Sequence, residues 1–279
     1  MGRESVSYAE ARGVAEDFDE FGSALAVGDF NGDGAGDLAV GVRSEDNAQL
    51  DFFGNISLNQ IVDGGVVHAF FGPFTGRSFS GNQILLERSP SFFFSDANPE
   101  PHDFNGSSLA AGDFNGDGFK DLAVGAVGEA IGTERTAGSV SVFYGSSSGF
   151  RASQFWTEAT IGIDVPERGD QFGQALTAWN FGRDVLLPGC RSCFPPTRDM
   201  IVQTADLAIG VPFKTVTTGR NVISRAGVVR VVYGKETGLS SLVKPIGSTL
   251  ALPSQTWHQD IEGVPDQCEA DDSFGWALY

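Results

Sequence analysis

Soft and nucleophilic side chains are scarce in this chain, which has three cysteines, three histidines and two methionines in 279 residues. Cys190, Cys193 and Cys268 are too few for a disulfide framework, and whichever two join, one thiol is left over. Cys190-x-x-Cys193 supplies half a zinc site, but zinc takes four ligands, Cys268 is remote in sequence and histidines are few. A loop-closing disulfide is the plainer reading of that pair. His68, His102 and His258 are the only imidazoles, and His68 falls in a strand pattern that suits a structural role. Acidic pairs such as Glu16-Asp17, Glu45-Asp46 and Asp271-Asp272 read as solvated turns. With no catalytic constellation in view, the expectation is a chain that is not itself an enzyme.

Positive charge is also in short supply: 18 Lys and Arg stand against 36 Asp and Glu, for a formal net charge of −18. Phosphate-backbone binding draws its affinity from basic side chains releasing counterions, so nucleic acid is excluded as a partner. The acidic excess suits a protein that collects divalent cations. No apolar run is long enough to cross a bilayer, and Met1-Gly2-Arg3-Glu4-Ser5 contains no export signal. Val6 stands where N-myristoylation requires Ser or Thr. An export signal encoded upstream stays open.

Glycine is plentiful, at 37, and 23 phenylalanines and 12 prolines accompany it, which favours short strands and tight turns over helices. An internal repeat organises them. Phe21-Gly22-Ser23-Ala24-Leu25-Ala26-Val27-Gly28-Asp29 aligns without a gap on Asn105-Gly106-Ser107-Ser108-Leu109-Ala110-Ala111-Gly112-Asp113. The match continues through Asp37–Gly41 and Asp121–Gly125. A third copy starts at Phe172-Gly173 and resumes at Asp206-Leu207-Ala208-Ile209-Gly210; a fourth starts at Phe274-Gly275. An aspartate stands two residues before each start: Asp19, Asp103, Asp170 and Asp272.

Each unit then carries an apolar strand closed by an aromatic and glycine, at Gly65–Gly72, Gly138–Gly145 and Gly227–Gly234. Ser153-Gln154-Phe155-Trp156 and Ser254-Gln255-Thr256-Trp257 occupy equivalent places further on and read as outer strands, with Trp156 and Trp257 packing between units. Four strands per unit result. Unit starts lie 84, 67 and 102 positions apart, longer than the roughly 40–50 residues of simpler blades, so loop insertions are expected. Four-stranded units repeated along a chain pack radially, which leaves only short sheet edges; the fold class is an all-β propeller.

Between the first two strands of a unit lie Asp29-Phe30-Asn31-Gly32-Asp33-Gly34-Ala35-Gly36-Asp37 and Asp113-Phe114-Asn115-Gly116-Asp117-Gly118-Phe119-Lys120-Asp121. Both read D-x-N-x-D-G-x-x-D. Oxygens at positions one, three and five converge when glycine at six turns the chain sharply, which gives Asp29, Asn31, Asp33 and Asp113, Asn115, Asp117 as ligands. The carbonyls of Ala35 and Phe119 add position seven, and Asp37 and Asp121 close the shell at nine. Hard oxygen donors of this kind select calcium, so two Ca2+ sites are expected. An EF-hand needs Glu at position twelve, where Val40 and Val124 stand instead. The plain alternative is an Asx-rich hairpin turn without metal.

On these residues the sequence resembles the FG-GAP repeats of the integrin alpha-subunit propeller and its bacterial relatives. Phe21-Gly22 and Phe172-Gly173 carry the first half of the signature; Gly41-Val42-Arg43, Gly125-Ala126-Val127 and Gly210-Val211-Pro212 stand for Gly-Ala-Pro, none perfectly. The resemblance implies a propeller, usually of seven blades, with calcium hairpins near its rim and ligand contacts on loops of neighbouring blades. Residues 1–20 then read as an outer strand or lead-in of a preceding blade. Residues 21–104 and 105–171 are blades with calcium loops, 172–273 a blade with an inserted loop and no calcium motif, and 274–279 the start of a further blade. Truncation is the simplest explanation of these ends, and closure by oligomerisation is the alternative. In the third unit Asn180-Phe181-Gly182-Arg183-Asp184 replaces the loop, and no calcium is expected there.

Arg168-Gly169-Asp170 spells an adhesive tripeptide, but the repeat already requires Asp170. Asn55-Ile56-Ser57 and Asn105-Gly106-Ser107 are glycosylation sequons only in a eukaryotic secreted protein. The expected function is an extracellular or cell-surface adhesion or ligand-binding scaffold that meets a protein or glycan through inter-blade loops, with further blades or another chain closing the ring. The alternative is a non-catalytic accessory domain of a larger secreted enzyme resembling glycosylphosphatidylinositol phospholipase D.

Overall fold

The computed structural model describes residues 17–50, 56–75, 80–87, 100–151, 153–162, 164–182, 185–187, 200–243 and 252–278. Among these residues the backbone is strand and turn apart from one four-residue helix, α1 (Glu158–Ile161), capped by Thr157 and Gly162. The first repeat forms β1 (Phe21–Gly28), β2 (Asp37–Val42), an inserted hairpin β3 (Asn47–Leu50) and β4 (Ile56–Ile61), then β5 (Val66–Phe71) and β6 (Gly81–Leu85). The second forms β7 (Asn105–Gly112), β8 (Asp121–Ala126), β9 (Ser139–Phe143) and β10 (Ser153–Trp156). The third forms β11 (Ala175–Trp179), β12 (Val185–Leu187), β13 (Met200–Val202) and β14 (Asp206–Val211). It continues with β15 (Val216–Thr218), β16 (Asn221–Ile223), β17 (Val228–Val232), β18 (Leu242–Val243), β19 (Leu252–Pro253) and β20 (Gln255–Trp257).

Three antiparallel four-stranded sheets result, ordered β1-β2-β5-β6, β7-β8-β9-β10 and β11-β14-β17-β20. The remaining strands pair as two-stranded hairpins inside the connections, which is how the long units are accommodated without disturbing the blades. The chain is an all-β propeller array. Its cores lie between blades, because side chains alternate across each strand. Ala26, Val67 and Ala69 of blade one bury with Leu122, Val124 and Phe143 of blade two. Ala123, Val140 and Val142, from the other face of blade two, bury with Leu207, Ile209 and Val228 of blade three.

The signature residues have a packing reason. Gly41, Gly125 and Gly210 lie so close to the next unit that a Cβ would sit 2.2, 2.4 and 2.0 Å from the carbonyl oxygens of Gly106, Gly173 and Gly275. Those three partners hold φ of +91°, +91° and +89°, a region that suits glycine. The glycine of Phe-Gly in one blade thus fits the glycine of the Gly-Ala-Pro-like triplet in the blade before it.

The aspartate before each start shapes the entering turn. Asp103, Asp170 and Asp272 each accept a backbone N–H from three residues earlier, those of Glu100, Glu167 and Glu269. The next residues clip onto the preceding blade: the N–H groups of Phe104, Gln171 and Ser273 donate to the carbonyls of Asp63, Thr136 and Arg225. This settles Arg168-Gly169-Asp170, whose Asp170 is buried and engaged by Glu167 N–H and the Lys214 ammonium instead of being presented to a partner. Asn105 is also fully buried, so its sequon is closed to a glycosyltransferase, while Asn55 lies outside the described residues. Trp156 is buried between blades as expected; Trp257 is not, at 40% exposed. His68 stacks on Phe70 at 5.9 Å between ring centroids, in keeping with a structural role.

Candidate metal centre

Both acidic loops leave a first strand and return as a second, so β1-β2 and β7-β8 pairing fixes their ends in the same register: Gly28 opposite Asp37, Gly112 opposite Asp121. Position two anchors each loop, since Phe30 and Phe114 are both fully buried and Phe30 lies 4.9 Å from the Phe150 ring. In the third unit the same position, Phe181, is 47% exposed, and Arg183, Asp184, Cys190 and Cys193 lie outside the described residues.

Within the first loop, oxygens at positions one, three and five turn inward. Asp33 N–H donates to Asp29 Oδ1 (3.1 Å) and Asn31 Oδ1 (3.0 Å), Gly34 N–H to Asp29 Oδ2 (2.9 Å), and Ala35 N–H to Asp33 Oδ1 (2.8 Å). The second loop repeats this: Asp117 N–H donates to Asn115 Oδ1 (3.0 Å), Gly118 N–H to Asp113 Oδ2 (3.0 Å) and Phe119 N–H to Asp117 Oδ1 (3.0 Å). Two left-handed glycines make the turn in each case, at Gly32 and Gly34 and at Gly116 and Gly118. The donor set is oxygen throughout and fits calcium, which takes carboxylate, amide and backbone oxygens together. Asp29, Asn31, Asp33, the Ala35 carbonyl and Asp37 would hold one ion, and Asp113, Asn115, Asp117, the Phe119 carbonyl and Asp121 the other. Bound there, calcium would supply charge neutralisation and a fixed hairpin.

Position nine does more than the motif implies. Asp37 is buried; its Oδ2 accepts Phe30 N–H (2.7 Å) and its Oδ1 accepts Gly72 N–H (2.8 Å), which ties the loop to the end of β5. Asp121 does the same with Phe114 N–H (2.8 Å) and Gly145 N–H (3.0 Å). So does Asp206 of the third unit, with Phe181 N–H (2.8 Å) and Gly234 N–H (2.9 Å), although the acidic ligand set is missing there. An oxygen that accepts one N–H keeps a second lone pair, so this tie is compatible with a ligand role. Burial raises Asp37 above the ordinary carboxylate range and pushes Asp121 up to about 7, with Asp113 and Asp117 adding repulsion at Asp121. A cation nearby relieves that repulsion.

The tie and the metal can be separated by substitution. Asp206→Asn replaces one accepting oxygen with an NH2 group facing a backbone N–H, and is expected to cost about 1–3 kcal/mol. Chemical denaturation with and without chelator should give the same loss for Asp206→Asn, and a larger loss with calcium present for Asp121→Asn.

Neighbouring loops also touch. Lys120 N–H donates to the Asp29 carbonyl (3.0 Å), and Ala205 N–H to the Asp113 carbonyl (2.7 Å). A Cβ on Gly32 would lie 2.5 Å from the Phe119 ring. Sequence reasoning missed these links, the buried Phe30 and Phe114, and the proximity of Cys268 to His258, whose Nδ1 lies 3.7 Å from Sγ with Asp260 alongside.

The FG-GAP repeat model matches the chain at residues 21–58 and 105–143, the two segments that contain the acidic loops. Phosphatidylinositol-glycan-specific phospholipase D of Bos taurus is 33% identical over 142 residues, 50% of this chain and 14% of that protein. The Homo sapiens phospholipase of that name is 34% identical over 142 residues, again 50% and 14%. Integrin alpha-3 of Mus musculus is 33% identical over 129 residues, 46% of this chain and 10% of that protein. This chain therefore matches only a small part of each relative's length. No described helix is long and apolar enough to cross a membrane. Repeat register, blade topology and family model coincide, and the chain is identified as one that carries FG-GAP repeats, at residues 21–58 and 105–143, in an all-β array of four-stranded blades.

Proposed function

We propose that this chain is a calcium-stabilised binding scaffold of the extracellular space or cell surface, which presents inter-blade loops to a protein or glycan and performs no catalysis. The observation that carries this reading is the pair of superimposable acidic loops, each with inward-turned oxygens on a rigid hairpin base. Calcium pins both hairpins at one rim, and loops held by rigid blades make good recognition surfaces. A further blade, from this protein or another chain, covers the open side of β1. Leu25 and Val27 are 62% and 73% exposed there, while their counterparts Leu109 and Ala111 pack on the blade before them.

Thermal unfolding with calcium and with chelator tests the calcium role. Binding to the folded state alone stabilises by about 2.7 kcal/mol per site at a hundredfold excess over the dissociation constant. The melting temperature should rise with calcium in the parent chain, and by clearly less in the doubly substituted Asp33→Ala, Asp117→Ala chain. A folded parent whose melting ignores calcium refutes the calcium role.

A second reading is favoured by the phospholipase relatives: the blades serve as an accessory module beside a hydrolase domain of a larger secreted protein. A full-length coding sequence with a hydrolase domain supports it, and one with an anchor or adhesive modules supports the first.

A further inference from the structure

Three buried carboxylates meet where blade one joins blade two: Glu87, two residues past β6; Asp103, two before β7; and Glu129, three past β8. Their ligand oxygens all lie within 4.8 Å of one another. Ser139 Oγ donates to Glu87 Oε1 and Glu100 N–H to Asp103 Oδ2, but Glu87 Oε2 and both oxygens of Glu129 meet no donor apart from the neighbouring carboxyls themselves. Glu87 and Glu129 are 1% and 0% exposed, so water does not satisfy those oxygens from bulk. Among the described residues no Lys, Arg or His forms an ion pair with any of the three.

The next junction shows what such a pocket holds when it is complete. Glu158, two past β10, matches Glu87; Asp170, two before Phe172, matches Asp103; and three past β14, where Glu129 has its counterpart, stands Lys214. The Lys214 ammonium lies 2.8 Å from Glu158 and 3.0 Å from Asp170, and also donates to the Val165 carbonyl (2.7 Å). Arg230 adds a second cation, 2.8 Å from Glu158; its counterpart on β9 is Ser141. One junction therefore joins acids to bases, and the other has the same acids, a third in place of the ammonium, and no base.

We propose that the Glu87–Asp103–Glu129 pocket is a divalent-cation site, of a different kind from the rim loops, in which calcium takes the place that the Lys214 ammonium fills one blade further on. Oxygens on one calcium ion, each at 2.3–2.6 Å, are at most about 5 Å apart, so the observed spread is within reach of a single ion. The donors are hard oxygens, which exclude a preference for zinc or copper. Without an ion, burial and repulsion from Asp103 push Glu87 up to about 8, burial and Glu100 push Asp103 up to about 7, and burial with repulsion from Glu87 and Asp103 raises Glu129. A bound dication offsets both causes, and it joins strands from two blades, where the rim ions each sit within one hairpin.

The test is equilibrium dialysis of the folded chain against radioactive calcium, for the parent, Glu129→Gln and Glu129→Lys. Glu129→Lys builds the Lys214 arrangement at this junction and supplies its own cation; Glu129→Gln keeps shape and removes one ligand charge. Both should bind one calcium fewer per chain than the parent, and Glu129→Lys should melt above the parent when both are measured in chelator. The difference of one ion does not depend on the rim loops: their failure lowers the total in all three chains equally. Equal stoichiometry in parent and Glu129→Gln overturns the site, and leaves three carboxyls that stay folded by holding protons.

Discussion

Gly125→Ala is expected to lower stability by about 3 kcal/mol or more, one of the largest effects of any single methyl group in this chain. Gly125 lies on β8 in the middle blade, and its Cβ would stand 2.4 Å from the Gly173 carbonyl oxygen and 2.3 Å from Ser108 Oγ. Neither neighbour can yield cheaply. Gly173 is backbone held at a positive φ, and Ser108 Oγ already donates to the Gly173 carbonyl at 2.6 Å. Alanine therefore both forces the blades apart and breaks a buried hydrogen bond that closes the seam, which is worth about a further 1 kcal/mol. At roughly 2–4 °C per kcal/mol for a chain of this size, melting should fall by about 10 °C. Gly36→Ala is the control. Gly36 has ordinary φ and nothing within 4 Å of its missing Cβ, so it should stay within about 0.5 kcal/mol of the parent. Equal melting of Gly125→Ala and Gly36→Ala would show that the seam yields, and that the glycine pairs are not what fixes blade spacing.

Lys214→Met should cost about 3–5 kcal/mol at neutral pH, because it leaves buried Asp170 without a counter-charge and Glu158 with Arg230 alone. The Lys214 and Glu158 side chains are each 1% exposed, that of Asp170 2%, and little solvent is available to replace the ammonium. The loss depends on pH with a definite sign. Burial, together with Glu158, pushes Asp170 up to about 7 even with Lys214 present, and Lys214 is a charge that holds it down. Removing the ammonium raises the carboxyl further above its unfolded value. A group raised in the folded state stabilises below its unfolded pKa and loses that contribution as pH rises through the folded pKa. The parent and Lys214→Met should thus differ by a constant amount up to about pH 7, where both folded states hold the Asp170 proton, and separate as pH rises from about 7 towards about 9. Melting curves across that range check this, and a gap that narrows as pH rises would refute the ion-pair account.

Much of the fold was legible in the residues themselves. The repeat register, the four-strand unit and the Asp29–Asp37 and Asp113–Asp121 loops follow from local chemistry: glycine where the chain must turn left-handed, alternating small and branched residues where a strand is buried on both faces, and Asx oxygens at fixed spacing. What those residues do across blades was not legible. Asp37 and Asp121 look in sequence like the last ligands of a metal loop. Only Asp206, which forms the same two backbone hydrogen bonds in a unit without that loop, shows that the position also ties the hairpin to the strand end. The repeat register already claims Asp170 against the adhesive tripeptide, but its burial and its pairing with Lys214 are seen only in the folded chain.

The sequence by itself determined the class of the protein and the two rim loops, because a repeat and a ligand pattern are short-range: each residue's role depends on neighbours within one hairpin. Only the tertiary structure decided the junctions. Glu87, Asp103 and Glu129 are scattered along the chain, and so are Glu158, Asp170 and Lys214. Nothing local marks the first set as a cage of acids and the second as a buried ion pair. They differ because neighbouring blades carry equivalent positions into one dry seam, where the sign of the charge at a single place, Glu129 or Lys214, decides whether the protein supplies the cation itself or must take one from solution.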